Sequence, residues 1–200
     1  MDTFKCNYHM HSHYSNGTLS PAQLVRKYID EEYDVLSLTD HDSIDGIKEF
    51  LAACEATKIK GVVGVELTTT HDLMGKVYNI HILGYNFDPE NEALADACRR
   101  FRENTGSCLS AEEAIRIVGE AGGQTFLAHP VKIPELGERD TEEFYKEFEV
   151  LLKDLKKKGL KGLECINPMH TEDEEYRFIQ YAGKYHLHIS SGTDHHGEEI

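Results

Sequence analysis

Seven short runs of apolar and β-branched residues recur along the chain, at Lys5 to His9, Asp34 to Asp40, Gly61 to Thr68, Val77 to Tyr85, Gln124 to His129, Gly162 to Ile166 and Leu187 to Ser191. Most are continuously apolar rather than alternating, the pattern of strands buried on both faces. Between them lie segments with apolar residues at helical spacing and recognisable start signals. Ser20-Pro21-Ala22-Gln23 reads as a capping box with Pro at the first helical position, and Leu24, Val25, Tyr28 and Ile29 then form one apolar stripe. Ser43 predicts the cap of a second helix, with Ile44, Ile47, Phe50, Leu51 and Cys54 as its stripe. Asp88-Pro89 opens a third helix, Ser110-Ala111-Glu112-Glu113 a fourth, Thr141 a fifth that ends at Gly159, and Thr171-Glu172-Asp173-Glu174 a sixth. Strands alternating with helices predict a mainly parallel sheet, open or closed into a barrel. Only Thr69 to Lys76 separates the third strand from the fourth, too short for a helical crossover, so these two are predicted to pair antiparallel as a hairpin.

No repeat, low-complexity tract or linker interrupts this order, and 200 residues suit one domain with a substantial core. The chain stops four residues after His196, short of the helix that would complete an αβ unit, so a truncated C-terminus stands beside a natural end. No apolar run reaches the length of a membrane span, and the N-terminus lacks the basic-then-apolar layout of a signal peptide; a soluble, cytoplasmic protein is expected. The five cysteines form no CxxC pair and read as free thiols, mostly in the core. A formal charge of −15 disfavours a long nucleic-acid backbone as partner. Twelve histidines change the picture, because such an excess points to metal or proton chemistry.

These histidines, with selected carboxylates, fall at the C-terminal ends of the predicted strands, where open parallel sheets and α/β barrels build their sites. The first strand ends in His9-Met10-His11 and the second in Thr39-Asp40-His41-Asp42; the third carries Glu66, the fourth His81. The fifth ends in His129-Pro130, and the seventh leads into Thr193-Asp194-His195-His196. His9 and His11, two apart on a strand, share a face, as two ligands of one ion require. A carboxylate such as Glu66 can bridge two cations, and imidazoles suit Mn, Fe or Zn rather than Ca or Mg. More than one divalent metal is implied.

The segments Tyr8-His9-Met10-His11-Ser12, Leu38-Thr39-Asp40-His41-Asp42, Val65-Glu66, His81-Ile82-Leu83-Gly84-Tyr85, Ala128-His129-Pro130 and Gly192-Thr193-Asp194-His195-His196-Gly197 resemble, in order, the motifs of the PHP (polymerase and histidinol phosphatase) family. The resemblance runs from residue 5 to residue 197 and implies one PHP domain over residues 1–200, folded as a distorted (β/α)7 barrel with a di- or trinuclear metal centre. Carried over by position, it places His9, His11, Glu66 and Asp194 on one metal, Glu66, His81 and His129 on a second, and Asn16, His41 and His196 on a third. Mn2+ is the first expectation for the metal, with Fe and Zn2+ as alternatives. Glu66, His41 and Asp194 take the catalytic roles, through a metal-activated hydroxide that attacks a phosphomonoester, and Asp40 orients a ligand from behind.

Two further stretches, Ser15 to Pro21 and Gly162 to Thr171, resemble the branch that removes the 3′-phosphate of nucleoside 3′,5′-bisphosphates and trims RNA 5′ ends. The family's Asp is Asn at position 16, and the stretch from His81 to His129 is short for that branch's inserted helical subdomain. The branch motif makes His170 a substrate-binding residue. Lys132, three residues after His129, is either a phosphate contact or a solvated loop charge. The expected partner is a small phosphorylated molecule, with a nucleotide among the candidates. The alternatives are a PHP phosphatase for another small ester such as histidinol phosphate, and a non-catalytic metal-bearing module that binds a phosphate or a protein partner.

Overall fold

The computed structural model describes residues 4–102 and 109–197. Its strands are β1 (Cys6–Asn7), β2 (Val35–Leu38), β3 (Lys60–Leu73), β4 (Lys76–Tyr85), β5 (Leu109–Ser110), β6 (Gln124–Leu127), β7 (Gly162–Ile166) and β8 (His188–Ser191). Seven of them follow one path, β1-β2-β3-β4-β6-β7-β8, while the two-residue β5 pairs with β3 off that path. Pairings are parallel except β3 with β4 and β4 with β6, so β4 is the single reversed strand of the path and the antiparallel hairpin is present.

Backbone hydrogen bonds bring the last strand back to the first. Tyr8 N–H donates to the Ser191 carbonyl (2.9 Å), Asp194 N–H to that of His9 (2.8 Å) and His11 N–H to that of His195 (2.8 Å). Two ligand-bearing segments, His9 to His11 and Asp194 to His196, are thereby stitched side by side.

The hairpin is longer than its sequence suggests. Its arms run in register from Gly64 opposite Tyr85 to Leu73 opposite Lys76, so Thr69 to Leu73, read as a connector, is strand. Only Met74 and Gly75 turn the chain, both at positive φ (56° and 85°), the conformation a two-residue hairpin loop requires. The projecting arms are held from the side by Tyr78 hydroxyl on Glu147, Asn79 on Glu135 (2.6 Å) and His71 on Asp154 (3.0 Å).

The helices are α1 (Pro21–Asp30), α2 (Ile47–Thr57), α3 (Glu92–Arg102), α4 (Ala111–Glu120), α5 (Glu142–Lys158) and α6 (Glu172–Lys184). The Ser20, Ser110, Thr141 and Thr171 caps are made as their residue types predict, and Gly159 ends α5 at φ 112°. Two starts differ. Ser43 does not cap α2: its hydroxyl accepts from Asp45 N–H in a turn, the N-cap is Gly46, and Ile44 lies outside the helix. For α3, Asp88 takes Glu90 N–H in a turn and Asn91 Oδ1 accepts from Leu94 N–H, so the helix begins at Glu92. In both cases a local side-chain to backbone bond competes with the helix.

Two apolar clusters pack helices against the sheet, on the face to which Leu36, Leu38, Val63 and Val65 point. Leu94, Val118, Phe144, Phe148, Leu152, Leu155 and Phe178 form part of the larger cluster, and Leu24, Val25, Tyr28, Leu36 and Phe50 part of the smaller. Each such side chain contributes roughly 1.5–3 kcal/mol by leaving water. A third apolar cluster of Val35, Val62, Leu83, Tyr85, Phe126 and Ala128 gathers residues from β2, β3, β4 and β6. Cys6, Cys54, Cys98 and Cys165 are free thiols, all but Cys6 buried, and Cys108 lies outside the described residues. Among the described residues no helix is long and apolar enough to cross a membrane.

Candidate metal centre

At the C-terminal ends of the parallel strands the interior turns from apolar to ionisable. Glu66 on β3 is fully buried, and five imidazoles converge on its two oxygens. Oε2 faces the Nε2 atoms of His9 (2.9 Å), His11 (3.1 Å) and His41 (3.3 Å), while Oε1 faces His81 Nδ1 (2.8 Å) and His129 Nε2 (3.0 Å). Asp194 Oδ1 closes the other side, 3.0 Å from His11 Nε2, 3.3 Å from His9 Nε2 and 3.7 Å from His196 Nδ1.

Local backbone explains why these groups meet. The β2 exit is docked on β3 by Glu66 N–H to the Asp40 carbonyl (3.2 Å) and Asp42 N–H to the Glu66 carbonyl (2.8 Å). Asp42 adopts φ 48° and accepts from both the N–H (3.0 Å) and the hydroxyl (2.7 Å) of Thr68, which keeps His41 opposite Glu66. Burial raises the Asp42 carboxyl to about 6, against the lowering effect of the Thr68 bonds. Asp40 touches no ligand side chain in a described hydrogen bond. Its carboxylate accepts from Ser12 N–H (2.7 Å), Ser12 hydroxyl (2.7 Å) and Ser15 hydroxyl (2.6 Å), and so holds the loop that carries Asn16.

Asn16 itself is exposed, and its described side-chain bond is from the Ser15 hydroxyl (3.4 Å). Its loop is tied to the last ligand segment by Thr18 N–H on the His196 carbonyl (2.9 Å). The three groupings of His and carboxylate donors compact enough for one ion are His9, His11, Glu66 and Asp194; His41, Glu66 and His81; and His11, His41 and His196. The first matches the expected set. In the second, His41 is grouped with Glu66 and His81, while His129 faces the same Glu66 oxygen as His81; in the third, His11 completes an all-imidazole group.

Lys132 is brought to the site: on the 3-10 turn after His129 it places Nζ 2.6 Å from Asp194 Oδ2, with its side chain 44% exposed. His170 is not. Its Nδ1 pairs with the Cys165 carbonyl (2.9 Å), its ring lies against Phe178, and its Nε2 is enclosed without a hydrogen-bond partner. The ring is buried and makes no described hydrogen bond to the His and carboxylate cluster.

Glu164 is unmarked by any ligand pattern in the sequence, and β7 brings it to the cluster. This fully buried carboxylate accepts from His9 Nδ1 (2.9 Å) and from the His129 backbone N–H (2.8 Å). A carboxylate inside the apolar strand Gly-Leu-Glu-Cys-Ile was the available signal, since a buried acid needs a partner. Gly192 leaves the room it needs: a Cβ there would lie 2.2 Å from His9 Cβ and 2.8 Å from Glu164 Oε1.

Charge is shared unevenly within this set. Burial works against charge at His9, yet Glu66 and Glu164 hold it well above an ordinary histidine, and His11 is raised by Asp194 and Glu66 against the same penalty. His41, with burial and its charged histidine neighbours against it, is pushed down to about 3, and His196 is lowered by burial and His11. Burial opposes the ionised forms of Glu66 and Asp194, but the surrounding imidazoles hold both far below the carboxylate range. Protons therefore cannot occupy all the ring nitrogens that face carboxylate oxygens. Once the His9 ring is neutral, with its Nδ1–H donated to Glu164, Nε2 presents a bare lone pair to Glu66 and Asp194. Divalent cations between imidazole and carboxylate remove that repulsion, and the donor set fits nitrogen-and-oxygen ions such as Mn, Fe or Zn.

A mainly parallel barrel-like sheet with a buried His and carboxylate cluster at its C-terminal mouth defines the class of α/β metallohydrolase folds. Within that class the chain belongs to the PHP domain family, whose model matches residues 7–189. It is 26% identical to a 5′-3′ exoribonuclease of Haemophilus influenzae, over 97% of this chain and 90% of that protein. It is 23% identical to a 3′,5′-nucleoside bisphosphate phosphatase of Chromobacterium violaceum, over 94% of this chain and 86% of the relative. The first alignment runs over 260 positions while the chain has 200 residues, so the relative carries segments without a counterpart here. Among solved structures, an amidohydrolase from Chromobacterium violaceum with bound sulfate and no metal superposes with a TM-score of 0.84 at 23% identity, over 96% of this chain and 88% of that one.

Proposed function

We propose that this chain is a single PHP domain that hydrolyses phosphomonoesters of small molecules, nucleoside 3′,5′-bisphosphates first among them, with two or three divalent ions, Mn2+ before Fe or Zn2+. The reaction class, metal-dependent hydrolysis of a phosphoric ester, accompanies the family. One observation carries the reading: Glu66 turns each of its two oxygens to a different group of imidazoles, the arrangement of a bridging carboxylate. Bound ions would supply Lewis-acid polarisation of the phosphate and lower the pKa of a bound water to about 7.

The remaining work falls to the chain. Glu66 sets the separation of the two halves, and Asp194 supplies the anion beside His9 and His11 in one of them. Lys132, exposed and held on Asp194, offers a cation to a phosphate oxygen at the mouth. The charge of −15 disfavours long polymers away from the mouth, which favours nucleotides and RNA ends over duplexes. The names of the two relatives support this substrate choice.

Phosphate release from a panel of esters by Mn-loaded protein tests the reading. Nucleoside 3′,5′-bisphosphates are expected to be turned over fastest. A preference for histidinol phosphate would install the alternative phosphatase, and no turnover of any ester by metal-replete protein would indicate a binding module.

The third grouping lacks a carboxylate, and at position 16, where the family's motif has an acid, this chain has a neutral amide. It is expected to be the weakest of the three sites, because an amide oxygen or imidazole set offsets less of a divalent charge than an anion does. Asn16→Asp should raise affinity at that site and leave the others unchanged. Calorimetric Mn2+ titration of both proteins measures this, and three equivalent tight sites in the wild type would contradict it.

A further inference from the structure

Glu164 lies outside every expected ligand set, yet, like Glu66, it touches both halves of the centre. Its Oε1 is 2.9 Å from His9 Nδ1, in the segment after β1, and its Oε2 is 2.8 Å from the backbone N–H of His129, after β6. The carboxylate is fully buried, and its described hydrogen bonds are these two. We propose that Glu164 is a positioning residue that fixes the tautomer and ring orientation of His9 while anchoring the His129 backbone, so that the two halves of the metal centre form together. This rests on the metal reading above.

The physical case has three parts. An acceptor at Nδ1 forces the proton of a neutral His9 ring onto that nitrogen and leaves Nε2 free toward Glu66 and Asp194. The same carboxylate satisfies a buried backbone donor at His129, whose ring reaches the other oxygen of Glu66 (3.0 Å). Finally, the space is reserved: any side chain at Gly192 would collide with both His9 and Glu164, which keeps the β7 to β1 contact this close. A carboxylate present only to fill the interior would not need simultaneous bonds to two ligand-bearing segments.

The variants separate these contributions by chemistry. In Glu164→Gln the amide oxygen can still accept from His9, but the NH2 group then faces the His129 N–H donor to donor, so one of the two bonds is lost. Glu164→Asp is one methylene shorter and cannot make both bonds without backbone movement. Glu164→Ala loses both.

Mn2+ titration followed by calorimetry, with elemental analysis of metal per chain, is the test. Circular dichroism melts verify folding, and 15N NMR of labelled histidine reads the His9 tautomer. Affinity at both main sites is expected to fall by roughly 10- to 100-fold, least for Gln. The Nδ1–H signature of His9 should be lost in Ala, and phosphate release should recover at saturating Mn2+. A merely structural role would lower the melting temperature while the folded protein kept wild-type affinity and tautomer. If Ala fails to fold, Gln carries the test. Folded Gln and Asp variants that bind Mn2+ as the wild type does would overturn the proposal alone. A wild type that takes up no metal would overturn the metal reading and this inference with it.

Discussion

Glu66→Ala is expected to reduce phosphate release to background and to leave at most one weakly held metal per chain. Glu66 is the only carboxylate among the described residues that faces His9, His11 and His41 with one oxygen and His81 and His129 with the other. Removing it deletes an anion common to two of the three donor groupings and leaves Asp194 as the one carboxylate in those groupings to balance a pair of cations. Because the residue is fully buried, Ala also opens a cavity, so Glu66→Gln belongs beside it: the amide keeps volume and offers neutral oxygen in place of charge. Both variants should lose activity, and Gln should melt closer to the wild type. Retention of most wild-type phosphate release with added Mn2+ in either variant would contradict the bridging role.

Chelation is expected to lower the melting temperature, and the stabilisation regained with Mn2+ should grow as pH rises from about 6 to 8. The sign follows from His9 and His11, whose pKa values lie above the ordinary histidine value with the protein's own charges alone. A raised histidine contributes stability that is fully present below its unfolded pKa, about 6.5, and is lost as pH climbs through the raised value. Metal binding needs the same nitrogens unprotonated, so at lower pH the ion must displace protons that already stabilise the fold, and at higher pH it does not. At a free metal concentration of 100 times Kd, binding contributes about 2.7 kcal/mol. Scanning calorimetry with chelator and with Mn2+ across this range measures the difference; a shift that shrinks with rising pH would contradict the assignment of His9 and His11 as ligands.

His9 and His11 were legible as one face, and the His and carboxylate residues as one cluster, because a strand aims alternate residues to one face and parallel strands share one functional end; the grouping of His9, His11, Glu66 and Asp194 came from the resemblance to the family's motifs. The path of seven strands, the reversed β4 and four of the six helix caps were legible for a similar reason, since apolar runs, loop length and Ser or Thr before a helix act over a few residues. Asp42 and Glu164 were not, although both are ordinary acids in plain view: what distinguishes them is a partner 26 or 35 residues away, Thr68 for one and the His129 N–H for the other. Nor does a motif say which way a ring turns: that of His170 turns inward onto Phe178. The sequence by itself determined which residue types reach the mouth of the sheet, through short-range periodicity. Only the tertiary structure decided which of them meet, which nitrogen of His9 is left free and where Asn16 and Lys132 stand, because those outcomes depend on contacts between distant segments that burial and hydrogen bonding select jointly.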